Sequence, residues 1–383
     1  MRVLLAFDKF KDALTARQAC EFAAQALQEK HPEWSLDLCP LADGGEGFAE
    51  ILTEAAGGEL VRASVYGPRG ATTHAAYGVV SAAKIPTPAA ALFGTEKLQG
   101  RIAVIEMAAA SGLALLPSAE RDPWQTSTYG TGELLRAAAA AGVTAIVLGV
   151  GGSATNDLGL GALAALGLRF EAQHGEQIRP PIPARWREIT RIVGEIVPSL
   201  PPVFIACDVT NPLLGPRGAA AIFGPQKGLR PEDHARMENE SARLALMLCQ
   251  QSSRPDSLMD AAGAGAAGGT PFGLMAATGA TVLPGAELVS TWLDVDARLA
   301  AADLVITGEG RFDESSLHGK GPGALATRAL GFGLPVHVFA GEARVAQARR
   351  GLTLHSITPA GTPLVTALRE AGANLVTAVR TQL

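Results

Sequence analysis

Residues 145–157 read AIVLGVGGSATND, and LGLGALAAL follows directly. The first six positions are apolar apart from Gly149, as in a strand buried on both faces of a parallel sheet. Glycines then interrupt the run, and from residue 158 to 166 alanine and leucine recur at helical spacing. A strand, a glycine turn and a helix in that order make one crossover unit of a parallel sheet.

The same alternation extends in both directions. Upstream, strand 3–7 precedes helix 13–30, strand 36–41, a turn at Gly44 and Gly45, and helix 47–56. Between residues 62 and 80 the period changes to two around Gly67-Pro68-Arg69-Gly70, which predicts an antiparallel hairpin. Residues 82–100, with Pro86 and Pro88, read as an irregular insertion before strand 102–106. Helix 131–141 leads into the opening stretch. Downstream come a Pro-rich passage at 179–202, strand 203–207, a polar helix at 233–250 and a small-residue segment at 263–279. Strand 304–307, helix 323–330, strand 336–339 and helix 364–382 close the chain.

A chain of 383 residues exceeds one ordinary domain. The expected fold class is α/β in two lobes. An outer flavodoxin- or Rossmann-like parallel-sheet domain spans 1–68 plus 290–383, and a second, mixed α/β domain spanning 69–289 is inserted into it. A tandem arrangement stays open.

Composition excludes several function classes. The formal net charge is −5 and the Lys and Arg residues are scattered, so no footprint for nucleic acid or an anionic membrane is present. Cys20, Cys39, Cys207 and Cys249 are far apart and show no zinc-ligand spacing. No run of 18 apolar residues occurs, and the initial apolar run is too short for a signal peptide, so a cytoplasmic location is expected. Whether the chain forms a homo-oligomer is not legible.

In open parallel sheets, ligands bind beyond the carboxyl ends of the strands. Those positions are repeatedly acidic here: Asp8, Asp43, Asp208, and Glu309 with Asp313. A single Asp there serves equally well as a helix cap. Several converging on one place would repel one another, which a hard cation such as Mg²⁺ relieves. Glycines flank the acids at Gly44 and Gly45, at Gly151 and Gly152 before Ser153, and at Gly308 and Gly310. Such loops suit phosphate or carboxylate, or are merely tight turns.

Lys11, Lys227 and Lys320 lie in Gly- or acid-flanked loops, and each is either a solvated lysine or a neutraliser of phosphoryl charge. Asn156 and Asp157 close a cluster of small hydroxyl and amide groups suited to a polyhydroxy acid, or simply cap the helix beginning at Leu158. Arg121 is placed to grip a carboxylate, or is a plain surface arginine. A rival reading exists, because Gly149, Gly151 and Ala154 satisfy GxGxxA after a strand and Glu171 follows about twenty residues later. That pattern would suit an NAD-dependent dehydrogenase of a small hydroxy acid. A non-enzymatic organic-acid sensor is the other alternative. Walker A and protein-kinase signatures are absent.

Nine ordered blocks carry a resemblance. They are Asp8-Lys9-Phe10-Lys11 with Leu14-Thr15-Ala16; ADGGEG at 42–47; EMAAASGL at 106–113; GTGEL at 130–134; GGSATND at 151–157; ACDVTNPL at 206–213; FGPQKG at 223–228; residues 263–269; and ITGEGR at 306–311. Together they resemble the bacterial glycerate kinase family, from residue 8 to about 341. The resemblance implies two α/β lobes, ATP as donor, D-glycerate as acceptor and Mg²⁺ as cofactor. It leans towards 2-phosphoglycerate over 3-phosphoglycerate, and it gives the glycines to phosphate or glycerate instead of NAD.

On that footing, Asp208 is the first choice of base, with Asp8, Lys11 and Lys320 as further catalytic groups. Asp43, Asp313 and Glu309 are expected at the metal. Gly44, Gly45, Arg121, Gly151, Gly152, Ser153, Asn156, Gly308 and Gly310 are expected at substrate or ATP. The carboxylates are interchangeable between the base and metal roles at this stage. The chain departs from the family pattern at Lys9, where a small residue is usual, at Leu158 and Leu160, at Pro271-Phe272 and in the 82–100 insertion.

Overall fold

The computed structural model describes residues 1–94, 98–317, 321–344 and 350–383. The chain divides into two compact units, Met1–Asp43 with Val289–Leu383, and Gly44–Leu288. The first crossing precedes residue 68, where the lobe boundary was expected. The physical reason is local: helix Phe48–Ala55 packs on strands Thr72–Ser81 and Arg101–Glu106, so it belongs with the second sheet.

The first unit is built on a five-stranded, wholly parallel sheet in the order Leu352–Ser356, Val336–Ala340, Leu304–Gly308, Arg2–Phe7, Ser35–Leu38. Val3, Leu4, Leu5, Ala6 and Phe7 are all completely buried, which explains why the first strand reads as an unbroken apolar run. Helix Ala16–Lys30 starts at a capping box in which the Thr15 hydroxyl accepts the Gln18 N–H and the Gln18 side chain accepts the Thr15 N–H. Its buried stripe of Ala19, Cys20, Ala23, Ala26 and Leu27 packs with Leu375 and Val379 of helix Ala371–Gln382. The expected C-terminal helix is in fact two, Leu364–Arg369 and Ala371–Gln382.

The second unit holds a six-stranded sheet in the order Thr281–Leu283, Val203–Ala206, Ala145–Gly149, Arg101–Glu106, Thr72–Ser81, Glu59–Tyr66. The first four are parallel and the last two antiparallel, so the alternating segment around Gly67 is a hairpin at the sheet edge. Its core gathers Trp186, Phe170, Phe272 and the apolar faces of the central strands. Among the described residues, no helix is long and apolar enough to cross a membrane.

The helix expected from residue 158 begins later, at Leu160. Leu158 (φ 57°) and Gly159 (φ 73°) are left-handed, and the buried Asp157 carboxylate accepts the N–H groups of Gly159 and Gly161. The carboxylate therefore takes over the free donors at the helix start and delays the first turn.

Candidate active site

Parallel neighbours bring acids together in the first unit. Phe7 sits opposite Gly308 in the sheet, so Asp8 and Glu309, each the next residue, emerge side by side at the carboxyl edge. The Glu309 carboxyl is pushed up to about 7, chiefly by burial, against a lowering hydrogen bond with Ser316, and further by the charges of Asp8, Asp313 and Asp43. One Glu309 oxygen, Oε1, is buried with no hydrogen-bond partner.

Gly310 and Gly321 let backbone close in on this cluster. A Cβ on Gly310 would stand 3.4 Å from the Lys11 nitrogen, and one on Gly321 3.3 Å from Asp8 Oδ2. Gly308, Gly310 and the Lys11 backbone thus share the acid edge. Lys320 lies outside the described residues.

Among the described residues, no three His, Cys, Asp or Glu side chains are grouped as ligands of one ion, although the charges of Asp43 and Asp313 both act on Glu309. The Lys9 ammonium is 2.9 Å from Asp43 Oδ1 and 3.9 Å from Asp8 Oδ1, so a protein cation stands among these acids. The sequence pattern registered Lys9 only as a departure from a small residue.

Two glycine loops interlock in the second unit. The Gly151 N–H donates to the Gly44 carbonyl at 3.0 Å. A Cβ on Gly149 would lie 2.5 Å from the Gly44 oxygen, and one on Gly151 2.6 Å from the Gly45 nitrogen. The GxGxxA glycines are therefore consumed by backbone packing against residues 44–46, and not spent on a dinucleotide. Glu171, the expected ribose partner in that rival reading, stands beside Arg169 and Arg191. Beneath the loop, Gly152 adjoins the Glu46 carboxylate. Glu106, at the end of its strand, accepts the Ala49 N–H at 3.0 Å and has its carboxyl pushed up to about 7, chiefly by burial.

The loop then descends into the core. Ser153, Thr155, Asn156 and Asp157 are all buried, with Lys227 beside them. The Lys227 ammonium donates to Ser153 Oγ (2.8 Å) and to the Thr155 carbonyl (2.6 Å). Burial lowers its pKa to about 7, against the opposing pull of Asp157. Asp157 itself accepts from the Thr128 N–H and hydroxyl and from Gly159 and Gly161, while burial raises its pKa.

Around this knot, several polar atoms have no partner among the described residues: both side-chain atoms of Asn156, Thr155 Oγ1, Arg121 Nε and Trp124 Nε1. Arg121 is tied to the Lys227 segment, because its carbonyl oxygen is pressed against the α-carbon face of Gly228. Arg236 stacks on Trp124, with the guanidinium carbon 4.3 Å from the ring centroid. Orphaned buried donors and acceptors are rare in folded proteins, and their concentration here makes this a candidate ligand surface.

Asp208 also belongs to the second unit, just past strand Val203–Ala206. Its two oxygens lie 2.9 and 3.0 Å from the Ala286 nitrogen, so the carboxylate caps the start of helix Gly285–Trp292. Of the expected carboxylates, Asp8, Asp43, Glu309 and Asp313 meet within one unit, and Asp208 belongs to the other.

A family model described as "Glycerate kinase family" matches residues 3–382. The chain belongs to the glycerate kinase family. Relatives agree along most of its length. A protein named "Glycerate kinase" from Halalkalibacterium halodurans is 39% identical over 343 residues, covering 89% of this chain and 85% of that one. A protein named "Glycerate 2-kinase" from Escherichia coli K12 is 36% identical over 348 residues, covering 89% and 85%. The crystal structure of a putative glycerate kinase 2 from Salmonella typhimurium LT2 superposes with a TM-score of 0.75 at 38% identity, covering 100% of this chain and 96% of that one.

Membership in the glycerate kinase family covers both the acid edge and the buried loop, and neither the dehydrogenase nor the sensor reading is supported. Sequence reasoning missed Glu106 as a polar group of the site's surroundings, because it looked like an ordinary strand end.

Proposed function

We propose that this chain transfers the terminal phosphoryl group of ATP to a hydroxyl of D-glycerate, with Mg²⁺ as cofactor and 2-phosphoglycerate as product. The observation that carries this reading is the family match over residues 3–382, which spans every residue group described above.

The donor set of the first unit fits a hard divalent ion. Four carboxylates crowd one edge, and Glu309 keeps an orphaned buried oxygen. Mg²⁺ takes only one or two protein carboxylates and completes its shell with water and phosphate, so a three-ligand cage is not required. Asp43, Glu309 and Asp313 would hold it, and when bound it would offset phosphate charge. Lys11 and Lys320 neutralise charge on the transferring group, and the Gly308–Gly310 backbone approaches the phosphates.

In the second unit, the loop through Ser153 and Asn156 receives glycerate, with Arg121 on the carboxylate. An Asn side chain lacking partners on both its donor and its acceptor calls for a ligand that can accept and donate, as a hydroxy acid does and phosphate oxygens do not. Asp208 accepts the hydroxyl proton.

The deciding experiment incubates the purified protein with D-glycerate, ATP and Mg²⁺ and follows ³¹P NMR. A 2-phosphoglycerate resonance that requires all three components is expected. Consumption of glycerate with NAD alone, or no phosphorylated product under any condition, rejects the reading.

A further inference from the structure

Lys227 poses a physical question of its own. It is 1% exposed, and its ammonium has two described partners, a hydroxyl and a carbonyl, neither charged. Burying an ammonium without a hydrogen-bonded carboxylate is costly. Asp157 is the negative group it senses, but that carboxylate is already bonded by Thr128, Gly159 and Gly161. A neutral donor would join Ser153 to Thr155 at far lower cost. A lysine at this point is explained by an anion that arrives from outside.

Its two bonds say where that anion sits. Ser153 and the Thr155 carbonyl bracket the turn that presents Thr155 Oγ1 and both Asn156 side-chain atoms, all unpartnered and buried. The opposite wall is strained in a way that holds this turn still. Ala267 (φ 49°) and Gly268 (φ 70°) are left-handed, and a Cβ on Gly268 would stand 2.5 Å from the Asn156 α-carbon. Arg121 abuts Gly228, the residue after Lys227, and brings a half-buried cationic side chain whose Nε is buried without a partner.

We propose that Lys227 is a positioning residue for the acid substrate: through Ser153 and the Thr155 carbonyl it braces the loop that binds the glycerate carboxylate, and its charge favours that anion's entry. The inference rests on the glycerate reading above. It separates Lys227 from Lys11 and Lys320, which act on the phosphoryl side, and gives it to the recognition of the acid.

The test is Lys227→Gln in the full chain, with KM measured separately for D-glycerate and ATP. KM for D-glycerate is expected to rise at least tenfold, with KM for ATP within about twofold and kcat within a few-fold. Equal rises in both KM values, or a loss confined to kcat, overturns the proposal. If circular dichroism shows that Lys227→Gln does not fold, Ser153→Ala removes one arm of the brace, and the same glycerate-selective rise is expected; unchanged KM for both substrates overturns it. Wild-type protein without glycerate kinase activity defeats the functional reading itself, a result distinct from an active wild type whose variants bind glycerate normally.

Discussion

Single residues here carry two duties, and Asp208 is the clearest case. Its carboxylate caps helix Gly285–Trp292 through Ala286 and is also the proposed base. The two duties come apart by substitution. In Asp208→Asn the amide oxygen still accepts the Ala286 N–H, so the melting temperature is expected to hold while kcat falls roughly a hundredfold. Asp208→Ala loses the cap as well, at about 1 kcal/mol, read from urea unfolding. A wild-type kcat in Asp208→Asn would reject the base role. The acid after strand Val203–Ala206 was legible in the sequence; its capping role was not, since Ala286 lies 78 residues away.

At the level of elements, the meeting of the 44–46 loop with the 149–152 loop governs the site. Local sequence suggested phosphate-binding glycines at both places, because a glycine that approaches a ligand and one that approaches another backbone look alike. Only pairing distinguishes them. Gly151→Ala is expected to destabilise the protein by about 1–3 kcal/mol, because the new Cβ meets immovable backbone of Gly45 and Gly44. Gly331→Ala is the contrasting control. It ends helix Pro322–Gly331 with no atom within 4 Å of its new Cβ, and should be neutral or stabilising by under about 1 kcal/mol. Chemical denaturation of both variants checks the pair, and equal losses would contradict the packing described. The elements themselves were largely readable: the hairpin at residues 62–80 from its alternation, the parallel strands from their unbroken apolar runs. The helix start after Asp157 was misplaced, because side-chain capture of Gly159 and Gly161 competes with helix propagation.

For the whole molecule, buried ionisable groups set the response to pH. Glu106 holds its proton to about 7 when folded and to about 4.5 when unfolded. The folded state therefore binds more protons between those values, and stability falls as pH rises through that window before levelling off. The contribution of Glu106 is at most about 3 kcal/mol by the linkage relation. Glu106→Gln keeps an acceptor for Ala49 and removes the titration, so urea unfolding between pH 4.5 and 7 should show a flatter profile than wild type. An unchanged slope would place the pH dependence elsewhere. The sequence by itself determined the α/β class, the family and the placing of acids after strands, because apolar period and local motifs are written in neighbouring residues. Tertiary structure decided which acids share an edge, that Lys9 neutralises Asp43, that the GxGxxA glycines pack on backbone, and that Lys227 braces the buried loop. Those outcomes depend on partners tens of residues away, and a pairing energy exists only once the fold has brought both groups out of water together.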